Sequence, residues 1–224
     1  DGPNVQETTG KPAPVRTYQD LLTSPHDEAL FAYYASSQVA RITVADGRVE
    51  PVGPAGLIAS SLPSPDGRYL LVTRLKRPFS RLVPWSSFPQ DIEVWTSAGA
   101  RVRAIADVPM GDAVPITGVI TGPRAVTWDP TQPARLVWAE ALDGGDLKTR
   151  VPHRDRVLAL DAPFAGDPRE VLRTEHRFTS ARWTDAGTML VSELDRPQRR
   201  QRVAAIAASG DRRVLWDRSI EDAY

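Results

Sequence analysis

The sequence predicts an all-β fold, a β-propeller fragment of about three to four four-stranded antiparallel blades. Three observations lead there. The stretch Ser61–Arg74, SLPSPDGRYLLVTR, sets a Pro-Asp-Gly turn between apolar runs. Proline fixes φ and glycine supplies φ > 0, so Ser64-Pro65-Asp66-Gly67 is a turn and the flanking runs are strands of a hairpin. The layout then recurs. Ser180–Leu194 turns at Asp185-Ala186-Gly187, and Ala125–Ala141 turns at Asp129-Pro130. Finally, the strands between the copies group in fours, the meander of a propeller blade.

In chain order, residues 1–17 read as an extended arm or linker and 18–224 as a partial propeller, with blade-like units at 18–53, 54–109, 122–174 and 177–217. Helical character is confined to Tyr18–Leu22 and Glu28–Tyr34. Val39–Val44 and Arg48–Val52, turned by Ala45-Asp46-Gly47, form the outer half of a first unit. The second unit takes Leu57–Leu62, Tyr69–Leu75, Ile92–Thr96 and Val102–Val108. Ala125–Trp128, Arg135–Ala139, Arg156–Leu160 and Glu170–Arg173 make the third. Thr179–Trp183, Thr188–Leu194, Arg202–Ala207 and Arg213–Trp216 make the fourth. The copies lie 65 and then 55 residues apart, from Pro63 to Trp128 to Trp183. That exceeds the ~40–45 residues of a WD40 blade. The surplus falls at Lys76–Gln90 and Glu140–Asp155, between the second and third strands of their units. Such insertions carry function while blades supply a frame. Because propellers close with ~4–8 blades, an open set implies a longer polypeptide.

Composition narrows the function classes. Of the 224 residues 41% are hydrophobic, ample for a core, and no apolar run nears the length of a bilayer span. Lys+Arg and Asp+Glu both number 28, so the net charge is zero and nothing electrostatic points to nucleic acid or to an anionic membrane. Cysteine is absent, which excludes disulfides, thiolate catalysis and Cys-ligated metals. The polar opening from Asp1 shows no signal peptide. The twenty prolines and fifteen glycines suit many short strands with punctuated turns.

The insertions carry a resemblance. Arg77–Pro89, RPFSRLVPWSSFP, followed by DIEVWT at Asp91–Thr96, resembles the propeller of glutamyl endopeptidase-like serine peptidases of the prolyl oligopeptidase clan. Tyr18–Ala40, Gly122–Trp128 (GPRAVTW) and Glu140–Asp146 (EALDGGD) resemble the same family. The likeness runs from Tyr18 to the end, and the first insertion together with EALDGGD is its specific part. It implies a propeller joined to a C-terminal α/β-hydrolase domain bearing a Ser-Asp-His triad, and an extracytoplasmic or organellar setting. No G-x-S-x-G occurs in these residues, so no catalytic residue carries over.

Candidate site residues are weighed against plainer roles. Arg77, Arg81 and Trp85 could face a substrate, since an arginine fork binds a carboxylate bidentately. The competing role is anchorage of the loop by Phe79, Leu82, Trp85 and Phe88. Glu140, Asp143 and Asp146 could hold a cation or a peptide amino terminus, or could form an ordinary tight turn that lacks the calcium-loop spacing. His26, His153 and His176 read as loop histidines without metal-ligand spacing, so neither a metal nor another cofactor is expected. Arg196–Arg202, RPQRRQR, reads as a solvated hairpin tip. The six tryptophans read mostly as packing between blades.

The resulting expectation is the propeller segment of a serine endopeptidase that cleaves after Glu. It would gate peptide substrates, lack hydrolase activity of its own, and self-associate through open blade faces. The alternative is a non-catalytic TolB-like scaffold that binds proteins. A lactonase or glycosidase with a channel metal is disfavoured by the missing ligands.

Overall fold

The computed structural model describes residues 18–221, so the 1–17 arm lies outside the described residues. Among the described residues a helix, α1 (Pro25–Tyr34), is followed by fourteen strands. β1 (Ser37–Ile42) and β2 (Val49–Gly56) form a two-stranded antiparallel sheet. Blade A is β3 (Ile58–Pro63), β4 (Tyr69–Leu75), β5 (Gln90–Thr96) and β6 (Arg101–Val108). Blade B is β7 (Arg124–Trp128), β8 (Arg135–Ala141), β9 (Asp155–Asp161) and β10 (Arg169–Thr174). Blade C is β11 (Arg177–Trp183), β12 (Met189–Asp195), β13 (Arg200–Ile206) and β14 (Arg212–Ser219). Each blade is a four-stranded meander whose strand order follows the chain. Among the described residues no helix is long and apolar enough to cross a membrane.

Local chemistry fixes the repeated hairpin. Gly67 has φ +69°, and its N–H donates to the Ser64 carbonyl at 2.9 Å. Asp66 Oδ1 accepts the Arg68 N–H at 3.1 Å and the Ser64 hydroxyl at 2.7 Å, and Ser64 Oγ in turn accepts from the Tyr69 N–H at 3.0 Å. These bonds, the Ser64 hydroxyl above all, pull the Asp66 carboxyl down to about 2. The Asp66 N–H leaves its own blade and donates to the Pro133 carbonyl of blade B at 3.0 Å.

Alternation on the strands divides the core into layers. On β8, Leu136 and Trp138 face blade A while Val137 and Ala139 face blade C. On β9, Leu158 and Leu160 join the first layer, and Val157 and Ala159 the second. Register sets Leu136 opposite Leu160 and Val137 opposite Ala159, so each layer is continuous across the sheet. A slip of one residue would exchange the layers, which is why the register is firmly specified. Trp128 stitches blades A and B by donating its indole N–H to the Leu62 carbonyl at 2.9 Å. Trp95, Trp128 and Trp138 are buried, whereas Trp85 and Trp216 are exposed.

Antiparallel meanders place the turns between strands 1 and 2, and between 3 and 4, on one edge of every blade. The 2–3 connections and the links to the next blade share the other edge. Both long insertions therefore lie on one rim. There Leu75, Phe79, Val83 and Phe88 form a third cluster, against which Phe31 of α1 packs. Phe31 meets Phe79 and Phe88 edge-on at centroid distances of 5.1 and 5.7 Å. The helix starts where Ser24 and Asp27 make a reciprocal capping box just before Pro25.

Candidate functional site

The first insertion, 76–89, divides between anchor and surface. Phe79, Val83 and Phe88 are buried beneath it, and a single 3₁₀ turn at Trp85–Ser87 closes it. The Arg77 guanidinium lies 4.5 Å from the Phe79 ring centroid, a cation–π contact made by an exposed side chain. Arg81 pairs with Glu28 of α1 at 2.9 Å, so its fork is engaged within the chain. Leu82 and Trp85 are 66% and 53% exposed, while Phe79 and Phe88 supply the anchorage expected of all four.

The second insertion opens with Glu140 at the end of β8. Its carboxylate accepts from the Trp138 indole at 3.0 Å and from Arg156 at 2.7 Å. Asp143 is the hub of a buried ionic network. Its Oδ2 receives Arg177 Nη2 at 2.5 Å and Arg154 Nη1 at 2.9 Å, and its Oδ1 receives the Gly145 N–H at 2.9 Å. Arg177 also donates to Asp155 Oδ1 at 2.6 Å. Asp155 Oδ2 accepts the Phe178 N–H at 2.6 Å and pairs with Arg124. Burial alone would raise the Asp143 pKa; hydrogen bonds from Arg177 and then Arg154 more than reverse this, leaving it below the usual carboxylate range. The network ties the insertion of blade B to the first strand of blade C. Asp146 caps the following turn by accepting the Lys148 N–H at 2.9 Å.

The 109–123 connector joins the two insertions. Met110 packs on the Phe79 cluster, and Gly111 lies so close to Ser87 that a Cβ there would sit 3.2 Å from the Ser87 Cβ. At its other end the Val119 N–H donates to the Gly145 carbonyl at 3.0 Å. The structure thus brings the insertions bearing Arg77, Arg81, Trp85, Glu140, Asp143 and Asp146 onto one tethered rim. Within it Glu140 and Asp143 are held by ion pairs, while Arg77 and Trp85 face outward.

Sequence reasoning missed Arg124, Arg154, Asp155 and Arg177, whose pairing needs residues from two blades. It also missed a polar cleft of about 210 Å³ on blade C, lined in part by Glu175, His176, Asp195, Arg202 and Asp217. The exposed tip 196–199 ends in Arg200 and Arg202, both of which turn back onto Asp217 at 2.8 and 3.0 Å. Among the described residues no group of three or more His, Cys, Asp or Glu could hold a metal.

No protein-family model matches the chain. Two curated proteins do. A probable chloroplastic glutamyl endopeptidase of Oryza sativa subsp. japonica is 38% identical over 231 residues, covering 100% of this chain and 24% of its own length. Its counterpart from Arabidopsis thaliana is 42% identical over 217 residues, covering 94% of this chain and 22% of its own length. Among solved structures, a Pyrococcus horikoshii acylaminoacyl peptidase aligns over 81% of this chain and 28% of its own, at 13% identity and a TM-score of 0.48. A Pseudomonas aeruginosa periplasmic gluconolactonase aligns over 84% of this chain and 52% of its own, at 16% identity and a TM-score of 0.43. By sequence along its whole length the chain belongs to the glutamyl endopeptidase-like serine peptidases, spanning less than a quarter of the curated relatives it matches.

Proposed function

We propose that this chain is the propeller segment of a serine endopeptidase that cleaves after glutamate, and that its insertion-bearing rim gates access of peptides to a separate α/β-hydrolase domain. One observation carries the reading: similarity over the whole chain to glutamyl endopeptidases about four times longer, in a segment that contains no G-x-S-x-G. A chain with no elbow serine has no nucleophile of that kind to offer, so its part in hydrolysis is to admit, orient and exclude. The rim suits this work because its insertions are tethered and its outward groups include Arg77 and Trp85. An organellar or extracytoplasmic setting accords with the chloroplastic relatives.

Two measurements test the reading. The purified chain, given a fluorogenic peptide with glutamate before the scissile bond, should show no turnover; turnover that survives removal of contaminating proteases overturns it. In the complete parent protein, Trp85→Ala should change kcat/KM for long peptides more than for a dipeptide substrate. Equal change for both would refute gating by this rim.

A further inference from the structure

We infer that the edge of β1 facing away from β2 is the docking edge for a β-hairpin supplied by the same polypeptide on the N-terminal side of α1, which completes the first blade as its strands 1 and 2. Three independent observations place β1 and β2 as strands 3 and 4 of that blade. The connection is the first. β2 passes into β3 through Leu57 alone, as β10 passes into β11 through residues 175 and 176, the link from a fourth strand to the next first strand.

Stacking is the second. First strands stack on first strands, as when Trp128 of β7 bonds to Leu62 of β3. β2 instead lies over the turn between strands 3 and 4 of blade A. A Cβ on Gly99 of that turn would meet the Gly53 backbone nitrogen at 2.0 Å, and one on Gly53 would meet the Trp95 ring at 2.4 Å. Outer strands thus lie on outer strands.

The third is α1. In blades A and B the long insertion joins strands 2 and 3, on the rim. α1 directly precedes β1 and packs on the blade A insertion through Phe31 and the Glu28–Arg81 pair. It sits where the 2–3 insertion of a preceding blade belongs, so that blade's strands 1 and 2 come before it in the chain.

The occupant must be an apolar hairpin. Among the described residues β1 pairs with β2 alone, so there the backbone groups on its far edge form a ladder without a partner strand. Ile42 and Val49, opposite each other in the register, are 62% and 61% exposed. Residues 1–17 carry no paired apolar runs with which to build such a hairpin, and the curated relatives hold more than three quarters of their length outside the matched region.

Amide hydrogen exchange on the complete parent protein and on this chain tests it. Amides of residues 38–42 should exchange about tenfold or more slowly in the parent. Extending this chain only at its N-terminus, by the upstream residues of the parent, should reproduce that protection, while β14 stays as exchangeable as before. Should the extended chain fail to fold, a protease site placed between Gly10 and Lys11 of the parent serves instead: after cleavage the upstream piece should remain bound and β1 protected. Release of that piece with β1 unchanged would overturn the inference. So would β1 protection that needs residues beyond Tyr224 rather than residues before α1.

Discussion

Blades B and C share one strand plan and differ in what lies against their faces. In blade B, Leu136 and Trp138 are covered by blade A, Val137 and Ala139 by blade C, and all four are buried. In blade C one face is covered, but on its last strand Val214 and Trp216 remain 48% and 46% exposed. The strand pattern alone therefore decides how a blade forms, and its neighbours decide how much each side chain is worth. A solenoid-like array divides its stability in the same way, between units and interfaces.

The largest test of this contrast removes one indole from each blade. Trp138→Ala should cost about 3–5 kcal/mol by opening a cavity in a closed layer. Trp216→Ala should cost about 0.5 kcal/mol or less in this chain. Urea midpoints read both values, and equal losses would break the comparison. The exposed face also predicts concentration-dependent self-association of the isolated chain, which Trp216→Asp should weaken in light scattering across a dilution series.

Ion pairs sharpen the contrast next. Arg177→Met strips Asp143 and Asp155 of a shared partner inside the blade B–blade C joint and should cost about 3–5 kcal/mol. Arg173→Met breaks a surface pair with Glu170, 2.8 Å apart and half-exposed, and should cost about 0.5 kcal/mol or less. Thermal melts of the two variants side by side give the answer; a mild Arg177 variant would mean the joint does not need its charges.

Turns come third. A Cβ at Gly67 meets nothing within 4 Å, so the whole cost of Gly67→Val is its φ of +69°, more than about 1 kcal/mol. Gly122, equally open but without a positive φ, should accept Val at a few tenths of a kcal/mol. If the two variants melt together, the hairpin turn does not depend on its glycine.

The smallest effect is pH dependence. Asp143 and Asp66 both have carboxyls held below their unfolded value, so the unfolded chain binds protons more readily. Their stabilisation is fully present above about pH 4 and is lost as the pH falls toward about 2, where Asp66 titrates. Asp66→Asn should flatten part of that acid slope while leaving the plateau above pH 5 level in shape. An unchanged slope would show that the turn carboxylate is not coupled to folding.

Much of the fold was legible because hairpins are local. Pro65, Asp66 and Gly67 fix a turn within four residues, and the same grammar locates nearly every strand to within about two residues. The two-stranded β1–β2 hairpin was legible in the same way, from Ala45-Asp46-Gly47 between two short apolar-alternating runs. The site was less legible, because its chemistry is long-range. Nothing near Asp143 in sequence announces Arg177, 34 residues on and in another blade. The aromatic loop shows the same limit. Phe79, Leu82, Trp85 and Phe88 look alike as a string, but residues far from them in sequence, Phe31 of α1 and Met110 among them, pack on the phenylalanines while Leu82 and Trp85 stay out.

The 109–123 connector has a mechanical consequence. It is pinned beside Ser87 at one end and to Gly145 at the other, so it acts as a tie-bar between two loops that would otherwise swing independently. Load applied to one insertion is passed to its neighbour instead of being absorbed by a hinge. A rim braced in this way would tilt as a plate, and an aperture bounded by it would change width by whole-blade movement and not by the fluttering of single loops.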